Sequence, residues 1–542
     1  MKTPILIGLI LCAPALASAK PPADLQKKLD DFIKGSPGGA AVAWVDADGT
    51  AFFSSGTMAA ADPRPITPDT QFEIGSVSKV FTALLLAESE HLGKVSRNDA
   101  AAKYLLPAGD PAQAALAKIT LLSLTTHTAG LPRLPANIGP NPDGVPQPYA
   151  TYDRALMVEA LRFYGPSAVV GKNEAYSNFG AAVLGEALAA AWDTSYADAL
   201  REHVLAPLGM EATTVGLTGA PPPADLAPGH AGNQVVPNWT FQAFAPAGAL
   251  RSSARDMALF LTASLNQHNG PLHTAFESTL QPEHALDDMT GQIGLGWMLT
   301  DDANNPVAWH NGGTAGSRSF VAFSRKTGAG IAILSNISRG SEALGFGLLG
   351  AKLPAPKHEP IKNAADFIGN YPLSSVFAIS ITEVNGALRG QATGQPPFGM
   401  REISPDYFSV MGVAAQISFE RDGAGKVTAL VLHQNGKDLH GLRGELPPPP
   451  KEVTLTLETL REYAGNYPLA PTFVIAITEE GGSLFAQATG QPKAQVFASA
   501  KDEFFYKIVS ARISFQRDDS GKVTGLTLHQ AGRDMPAKKA AD

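Results

Sequence analysis

The sequence predicts an α+β fold over about the first 350 residues of this 542-residue chain, followed by two small antiparallel β-barrels. Strand-like runs lie near both ends of the first region, and helical patterns fill the stretch between them. After that region one sequence unit occurs twice, as Gly369-Asn370-Tyr371-Pro372-Leu373 and as Gly465-Asn466-Tyr467-Pro468-Leu469. A chain of this length is too long for one hydrophobic core, so several domains are expected.

The first region begins with a helix and a hairpin. Residues 24–34 carry four apolar side chains at helical spacing, which predicts an amphipathic helix. Residues 41–45 and 50–53 are strand-like runs on either side of an Asp-Gly turn, which predicts a β-hairpin. Three more strand-like runs lie between Val307 and Asn336. Composition and periodicity show these elements but not how they are joined.

A candidate nucleophile precedes the apolar run 80–86, within Ser76-Val77-Ser78-Lys79. A serine and a lysine three residues apart face the same way on a helix, and Gly75 permits a tight entry into that helix. The free N–H groups of a helix N-terminus favour a developing negative charge. A desolvated lysine with a lowered pKa can take the proton of a serine hydroxyl. The motif alone is weak, because most of its occurrences are ordinary surface helix.

Two further motifs follow in a fixed order, Tyr176-Ser177-Asn178 and His310-Asn311-Gly312. With the first motif they resemble the penicillin-recognising serine hydrolases: penicillin-binding proteins, class C β-lactamases and their peptidase and esterase relatives. Residues 119–132 and 246–257 resemble further segments of that family, and the resemblance covers about residues 24 to 350. It implies an antiparallel sheet flanked by helices, an all-helical lobe, and a site in the cleft between them.

The resemblance assigns a role to each motif residue. Ser76 is expected to form an acyl-enzyme, with proton transfer shared by Lys79 and Tyr176; which of the two is the general base stays open. The Asn178 amide is expected to bond Lys79 or a substrate carbonyl. The remaining expectations are that the backbone N–H groups of Ser76 and Gly313 form the oxyanion hole, and that His310 and Gly312 line the substrate side, with His310 replacing the lysine usual in β-lactamases.

Three other stretches bear on the site. Lys326-Thr327-Gly328 looks like the lactamase third motif, but it lies between two strand-like runs and is interpreted as a hairpin turn. Residues 132–150 are rich in proline and glycine, and such a loop is expected to rim the site with Tyr149. The apolar stretch 239–244 is a second rim candidate, and both stretches are equally compatible with core or irregular loop.

The repeated unit predicts the two barrels. Residues 377–381 and 473–477 alternate apolar with small or polar side chains, and turn signals at Asn385-Gly386 and Gly481-Gly482 follow them. The matching His433 and His529 are interpreted as structural. The layout resembles the D-aminopeptidase branch of the family. The expected segments are a signal peptide (1–19), a catalytic domain (20–352), a first barrel (361–446) and a second barrel (451–542).

Composition limits the partners. The formal charge is −8 and no basic stripe occurs, so nucleic acid is not expected. No metal-ligand motif is present, and no metal or cofactor is expected. The first 19 residues resemble a cleavable secretory signal and contain the only cysteine, Cys12, so a periplasmic or secreted protein without a stable membrane anchor is expected. Oligomeric state is not predicted.

The leading hypothesis is a secreted serine peptidase that cleaves short peptides, with D-residue-containing or linearised cyclic peptides of the microcystin type as a narrower possibility. A class C-like β-lactamase and a carboxylesterase are alternatives, because the same acyl chemistry serves lactams and esters. The substrate is thus a small peptide or a β-lactam-like molecule. A penicillin-binding sensor is the non-enzymatic alternative, and the intact Ser76, Lys79 and Tyr176 argue against it.

Overall fold

The computed structural model describes residues 20–540 except for short internal gaps. The gaps are residues 136, 139–146, 166–167, 266–269, 356, 358–360, 362, 375–376, 385–386, 394–397, 411–414, 435–436, 447–451, 471–472, 490–492, 507–510 and 531–532. The described residues form two compact units, one up to residue 357 and one from residue 361 onward. Each unit has its own buried clusters.

The first unit combines fourteen described strands with twelve described α-helices. The strands are β1 (Gly39–Asp46), β2 (Gly49–Ala59), β3 (Asp62–Pro65), β4 (Phe72–Glu73), β5 (Thr214–Val215), β6 (Gly229–Ala231), β7 (Gln234–Val236), β8 (Leu250–Ser252), β9 (His284–Ala285), β10 (Gln292–Ile293), β11 (Met298–Leu299), β12 (Ala308–Gly313), β13 (Arg318–Ser324) and β14 (Ala329–Ser335). The helices are α1 (Leu25–Ile33), α2 (Ser78–His91), α3 (Ala102–Leu105), α4 (Ala112–Leu116), α5 (Leu121–Thr125), α6 (Arg154–Tyr164), α7 (Asn178–Trp192), α8 (Tyr196–Leu200), α9 (Ala245–Gly248), α10 (Ala254–Leu265), α11 (His273–Thr279) and α12 (Glu342–Leu348). A 3₁₀ turn (Gly75–Val77) precedes α2, and a π-helical turn (Arg201–Leu205) follows α8.

One antiparallel sheet of nine strands organises this unit, in the order β3-β2-β1-β14-β13-β12-β11-β10-β9. The predicted helix at 24–34 and the predicted hairpin are confirmed as α1 and the β1–β2 pair. The three strand-like runs between Val307 and Asn336 are confirmed as β12, β13 and β14. Because β1 pairs with β14, the N-terminal hairpin and the late strands share one sheet, as the family resemblance implies.

Alternation along β1 gives the sheet two buried faces. Ala41, Ala43 and Val45 join the large cluster that includes side chains of α2, α7 and α10. The intervening residues of β1, among them Trp44, face a smaller cluster that includes α1 and α12. The sheet is therefore covered by helices on both faces, and the helical lobe packs on the face that also receives α2.

The second unit contains two eight-stranded antiparallel sheets, each nearly closed. The first follows the short helix α13 (Ala364–Phe367) and comprises β15 (Gly369–Pro372), β16 (Ala378–Val384), β17 (Ala387–Ala392), β18 (Phe398–Ser404), β19 (Tyr407–Val410), β20 (Ala415–Arg421), β21 (Val427–Gln434) and β22 (Lys437–Leu442). The second follows α14 (Leu457–Tyr463) and comprises β23 (Gly465–Ala470), β24 (Phe473–Glu480), β25 (Ser483–Ala488), β26 (Ala494–Ala500), β27 (Glu503–Tyr506), β28 (Ala511–Arg517), β29 (Val523–Gln530) and β30 (Arg533–Lys538). Backbone bonds from Gly444 to Asn370 and from Ala540 to Asn466 link the last strand region of each barrel to its first strand.

The two barrels repeat the same side-chain contacts. In the first barrel, Arg421 forms an ion pair with Asp406 at 2.8 Å, and Arg517 forms the equivalent pair with Asp502 at 2.8 Å. Each predicted structural histidine bonds a serine on the neighbouring strand and an aspartate on the next; these contacts are His433 with Ser418 and Asp438, and His529 with Ser514 and Asp534. Such cross-strand contacts, diagonal to the serine and directly opposite to the aspartate, tie adjacent strands together.

Some predicted features lie outside the described residues. These are the signal peptide 1–19 with Cys12, the turn Asn385-Gly386, and most of the middle of the loop 132–150. The Gly481-Gly482 turn is confirmed between β24 and β25. In the described part of the chain, no helix has the length and apolar character needed to cross a bilayer. Within the same residues, no group of three or more His, Cys, Asp or Glu side chains is arranged to hold a metal ion.

Candidate active site

Ser76 lies in the 3₁₀ turn that leads directly into α2, as the sequence predicts for a helix N-terminus. Gly75 has φ +49°, a backbone conformation that residues with a side chain rarely adopt. A Cβ at Gly75 would lie 2.6 Å from the backbone nitrogen of Gly313, so only glycine allows this approach. The turn that contains Ser76 therefore packs directly on the end of β12, and its backbone contacts the backbone of Gly313.

Strand β12 contacts the nucleophile turn through a second glycine. A Cβ at Gly312 would lie 2.0 Å from the carbonyl oxygen of Ile74. Ser319, on the neighbouring strand, donates a hydrogen bond to the same oxygen at 2.7 Å. The sheet therefore fixes the position of the turn through backbone contacts that leave no room for side chains.

Lys79 is buried with 4% of its surface exposed, and its Nζ lies 3.0 Å from Ser76 Oγ. The same nitrogen donates to the backbone carbonyl of Ala247 at 2.7 Å. Burial, aided by the positive charge of Arg133, lowers the pKa of Lys79 well below its ordinary value. No carboxylate pairs with this amine among the described residues, so its neutral form is favoured.

Tyr176 shares the pocket with Lys79 and His127. The Lys79 nitrogen lies 4.8 Å from the centre of the Tyr176 ring. The centres of the His127 and Tyr176 rings are 4.5 Å apart. Burial raises the pKa of Tyr176 to about 12, against an opposing contribution from the Ser76 side chain. The phenol is therefore protonated at neutral pH, while burial also lowers the pKa of His127 well below its ordinary value.

Asn178 is the first residue of α7, and its Nδ2 donates to the hydroxyl of Tyr149 at 3.2 Å. Its Oδ1 is buried and has no hydrogen-bond partner among the described residues, so this amide is not bonded to Lys79 here. Tyr149 in turn stacks on Phe241 with ring centres 5.1 Å apart and meets Trp239 edge-on at 5.4 Å. The two predicted rim stretches thus contact each other beside Asn178.

His310 lies on β12 with 2% of its surface exposed. Its Nδ1 lies 2.6 Å from the backbone oxygen of Asn311, an arrangement in which Nδ1 carries the proton and donates it. Burial and the nearby Lys79 lower the pKa of His310 to about 3, so the ring is neutral. The interpretation of Lys326 as a hairpin-turn residue is confirmed, because it lies between β13 and β14 and is exposed.

Sequence reasoning missed four contributors to this pocket: Glu73, His127, Arg133 and the carbonyl of Ala247. The Glu73 carboxylate receives hydrogen bonds from the Trp239 backbone at 2.5 Å and from Thr314 at 2.7 Å, and so ties the turn to two loops. His127 accepts a bond from the backbone of Ser177 at 3.3 Å. Glu73 adjoins the first motif and His127 lies within a recognised segment, but no sequence signal marks Arg133.

The site residues therefore gather from three elements: the turn before α2, the N-terminus of α7, and β12. Ser76, Lys79 and Tyr176 share one pocket, and His310 lies at its edge with its ring centre 6.4 Å from that of Tyr176. Gly312 and Gly313 lie against the turn that carries Ser76. The side-chain amide of Asn178 donates its hydrogen bond to Tyr149 and not to a group of this pocket.

Comparison with known proteins matches residues 25–348 to the β-lactamase family and residues 449–539 to a domain of unknown function, DUF3471. A β-lactamase of Pseudomonas fluorescens is 26% identical over 347 residues, 55% of this chain and 88% of that protein. The D-alanyl-D-alanine-carboxypeptidase/endopeptidase AmpH of Escherichia coli K12 is 31% identical over 227 residues, 40% of this chain and 57% of that protein. A class C β-lactamase structure from Rhodobacter sphaeroides covers 60% of this chain and 98% of its own, with 22% identity and a TM-score of 0.49.

The β-lactamase match spans more than half of the chain, so the protein belongs to the β-lactamase family of serine hydrolases. The chain spans little more than half of the length of the Escherichia coli relative. The second barrel coincides with the domain of unknown function.

Proposed function

We propose that the protein is a serine peptidase that cleaves short peptides through an acyl-enzyme on Ser76. The observation that carries this proposal is the neutral, buried His310 at the place where β-lactamases have a lysine. A fused lactam holds its carboxylate rigidly toward that strand, whereas a peptide chain can direct its charged groups elsewhere. The Escherichia coli relative is itself named a carboxypeptidase/endopeptidase, which supports the same substrate class.

In the proposed acylation, neutral Lys79 is the general base. It lies 3.0 Å from Ser76 Oγ and takes the hydroxyl proton as that oxygen attacks the substrate carbonyl. Tyr176, protonated up to about pH 12, donates its proton to the leaving nitrogen as the C–N bond breaks. The Lys79 ammonium then returns its proton to the tyrosine oxygen, so the site ends acylated and otherwise unchanged.

Deacylation uses the same groups in reverse. Water attacks the ester carbon and loses a proton toward the Tyr176–Lys79 pair, and the proton that Ser76 needs comes back from that pair as the acid leaves. The backbone N–H groups of Ser76 and Gly313 are assigned to the oxyanion in both steps. Their assignment is supported by the close approach of the turn at Gly75 to Gly313.

Asn178 is assigned to the substrate. Its Oδ1 is buried and unpartnered, and a buried acceptor without a donor is costly. A backbone N–H of a bound peptide would satisfy it. The amide is held in place by its bond to Tyr149, and the Tyr149 ring is braced by Phe241, so the acceptor is fixed before substrate arrives.

The test is a substrate panel on the purified full chain: short L- and D-peptides, nitrocefin, and p-nitrophenyl acetate, each with wild type and Ser76→Ala. The proposal expects peptide cleavage that is lost in Ser76→Ala, with little or no nitrocefin turnover. Rapid nitrocefin hydrolysis without peptide products would replace the peptidase by a β-lactamase, the activity named for the Pseudomonas relative. Ester hydrolysis alone would identify a carboxylesterase.

We also propose that the mature enzyme is exported and begins at Lys20, after removal of the signal-like residues 1–19. Expression of the full chain in a Gram-negative host with fractionation and intact mass measurement tests this. A periplasmic species starting at Lys20 supports export, and a cytoplasmic species that retains residues 1–19 contradicts it.

A further inference from the structure

Arg133 is anchored beside the catalytic tyrosine by its main chain. Its carbonyl oxygen accepts hydrogen bonds from the backbone N–H groups of Asn178 at 3.1 Å and Phe179 at 3.2 Å. The preceding carbonyl, of Pro132, accepts a bond from the Ser177 hydroxyl at 2.6 Å. The segment 132–133 therefore caps the N-terminus of α7, next to the turn that carries Tyr176. This anchoring fixes where the side chain of Arg133 begins.

The Arg133 guanidinium lies over the ring of Tyr176, with Cζ 5.1 Å from the ring centre. The residue is exposed, unlike Lys79 and His310 in the same pocket. Its head group therefore stands at the solvent side of the tyrosine whose other contacts are buried.

This guanidinium has no hydrogen bond or ion pair among the described residues. The other arginines of the site region are all engaged: Arg251 donates to the Trp239 carbonyl, Arg255 to Asp69, and Arg318 to the carbonyls of Thr314 and Ser317. A guanidinium offers a planar fork of donors that matches a carboxylate in two parallel bonds. Arg133 is thus a charged, exposed donor set beside Tyr176, without an acceptor among the described residues.

Among the described residues, no carboxylate pairs with Arg133, and the nearby Glu73 carboxylate is bonded to Trp239 and Thr314 instead. Beside Tyr176 lie the Lys79 amine and the imidazoles of His127 and His310, and burial lowers the pKa of all three, which favours their neutral forms. The positive charge of Arg133 reaches these groups, since it contributes to lowering the pKa of Lys79 and of His127. An arriving carboxylate would therefore meet a guanidinium that is not paired with another described carboxylate.

We propose that Arg133 is a specificity-determining residue that binds a carboxylate of the substrate, so that the enzyme prefers substrates with that carboxylate over their neutral amides. This rests on the proposed peptidase function. The carboxylate has two possible sources, a free C-terminus or an aspartate or glutamate side chain near the scissile bond. Both present the same two oxygens to the fork.

Arg133 and His310 belong to different parts of the pocket, which explains how a carboxylate can be bound although the third motif lacks a cation. His310 lies on β12, whereas Arg133 belongs to the loop that caps α7. A flexible peptide can place its carboxylate over Tyr176 while its carbonyl lies between Ser76 and Gly313. In this proposal the substrate carboxylate is bound by Arg133 of the loop and not by the third motif on β12.

The experiment measures kcat/KM for acid and amide versions of the same substrate. One pair is a tripeptide with a free C-terminus and its C-terminal amide; a second is a blocked peptide with Glu or Gln beside the scissile bond. A third pair contains the p-nitrophenyl esters of succinic and succinamic acid. The enzymes are wild type, Arg133→Gln, Arg133→Lys, and Lys326→Gln as the matched control. Lys326 is also an exposed cation of this unit, but it lies at the end of β13 remote from Gly313.

Wild type should prefer the acid of at least one pair by about 10- to 100-fold, mainly through KM. Arg133→Gln should reduce that ratio to near one, Arg133→Lys should keep part of it, and Lys326→Gln should keep all of it. The peptide pair that shows the preference identifies the source of the carboxylate. Loss of the Arg133 charge should also move the acidic limb of the pH–rate profile to higher pH, because one cause of the lowered pKa of Lys79 is gone.

Equal rates for acid and amide in wild type, or a preference that survives Arg133→Gln, would overturn the proposal. The ester pair separates this failure from that of the peptidase assignment. If no peptide is cleaved but the succinyl ester is preferred in an Arg133-dependent way, the carboxylate site stands and the peptidase function falls. Unchanged circular dichroism and thermal unfolding of Arg133→Gln show that the loop cap, which uses only backbone atoms of Arg133, is intact.

Discussion

At the scale of single residues, the pocket around Ser76 is defined by ionisable side chains held in their neutral forms. Lys79, His127 and His310 are all buried, and burial lowers the pKa of each. Tyr176 is half-buried, and desolvation raises its pKa to about 12. Because the pKa of Lys79 is lowered and that of Tyr176 is raised, the amine can accept a proton and the phenol can donate one over the same pH range.

The first prediction concerns pH. In the proposed mechanism Lys79 acts as a neutral amine, so kcat/KM for a neutral ester should rise with pH through its lowered pKa. It should reach its plateau well below pH 10.5, the ordinary pKa of lysine. No alkaline loss from Tyr176 is expected until about pH 12. A stopped-flow pH profile checks this, and a rate that begins to rise only near pH 10.5 contradicts it.

The second prediction separates the two proton carriers. Tyr176→Phe should lower kcat for peptides by about 10²- to 10⁴-fold, because an amine leaving group needs a proton. It should lower kcat for a p-nitrophenyl ester much less, because that leaving group departs as an anion. Lys79→Ala should impair both substrates. Equal losses for peptide and ester in Tyr176→Phe would argue that the phenol does not protonate the leaving group.

The proximity of Ser76, Lys79 and Tyr176 could be predicted from sequence, because the spacing and order of their motifs can be found without knowledge of the fold; their catalytic roles stay a prediction. Arg133 and Glu73 could not, since their roles depend on loops meeting in space. Arg133 is brought to Tyr176 by a backbone cap on α7, and Glu73 meets Trp239 and Thr314 from distant parts of the chain. The spacing of the motifs likewise does not predict the hydrogen bond between Asn178 and Tyr149.

At the scale of elements, strand β12 and the turn before α2 contact each other through glycines. Gly75 has a positive φ and faces the backbone of Gly313, and Gly312 faces the carbonyl of Ile74. The end of β12 and the start of α2 therefore touch through backbone atoms. This contact brings a strand N–H and a helix N-terminus to one place, which is what an oxyanion site requires.

The third prediction follows from this contact. Gly75→Ala should lower kcat by at least about 100-fold, because the new Cβ would lie 2.6 Å from the Gly313 nitrogen and push the strand away from Ser76. Gly93→Ala is the matched control, since Gly93 has φ +70° but open space around it. It should cost about 1 kcal/mol of stability and leave kcat near that of wild type.

Steady-state kinetics and thermal unfolding of both variants check this prediction. Equal kcat values for the Gly75 and Gly93 variants would mean that the approach of the turn to β12 is not needed for catalysis. A loss in both variants would point to backbone strain rather than to the contact with Gly313.

The order of strands in the large sheet illustrates what sequence pattern can and cannot predict. The hairpin and the strands β12 to β14 were predicted from their apolar runs and turn residues, and the structure confirms them. Their pairing across almost 300 intervening residues, β1 with β14, follows only from the family resemblance. Very short strands such as β9 to β11 have two residues each and carry no periodic signal.

At the scale of the whole molecule, the buried clusters respect the two units. The two clusters of the first unit are formed by residues between 25 and 351, and the clusters of the barrels lie between 361 and 439 and between 455 and 537. The repeat in sequence is matched by a repeat in structure, since both copies form eight-stranded sheets with the same ion pairs. The described chain divides at about residue 357, just before the sequence repeat begins.

The fourth prediction is that the first unit folds without the barrels. A fragment of residues 20–357 should unfold cooperatively and should react with a fluorophosphonate at Ser76, because its core contains no side chain from the second unit. Its rate of labelling is compared with that of the full chain. An aggregated fragment, or one that is folded but fails to react, would show that the barrels contribute to the active conformation.

The central claim is that Ser76 forms an acyl-enzyme during peptide cleavage, and intact-protein mass spectrometry tests it most directly. Wild type and Ser76→Ala are each treated with a fluorophosphonate, with penicillin G, and with a pool of short L- and D-peptides, and the adduct is located by peptide mapping. The account predicts one fluorophosphonate adduct on Ser76, peptide products, no penicillin turnover, and neither adduct nor products in Ser76→Ala. Peptide cleavage that survives in Ser76→Ala, or an adduct on another residue, would contradict it.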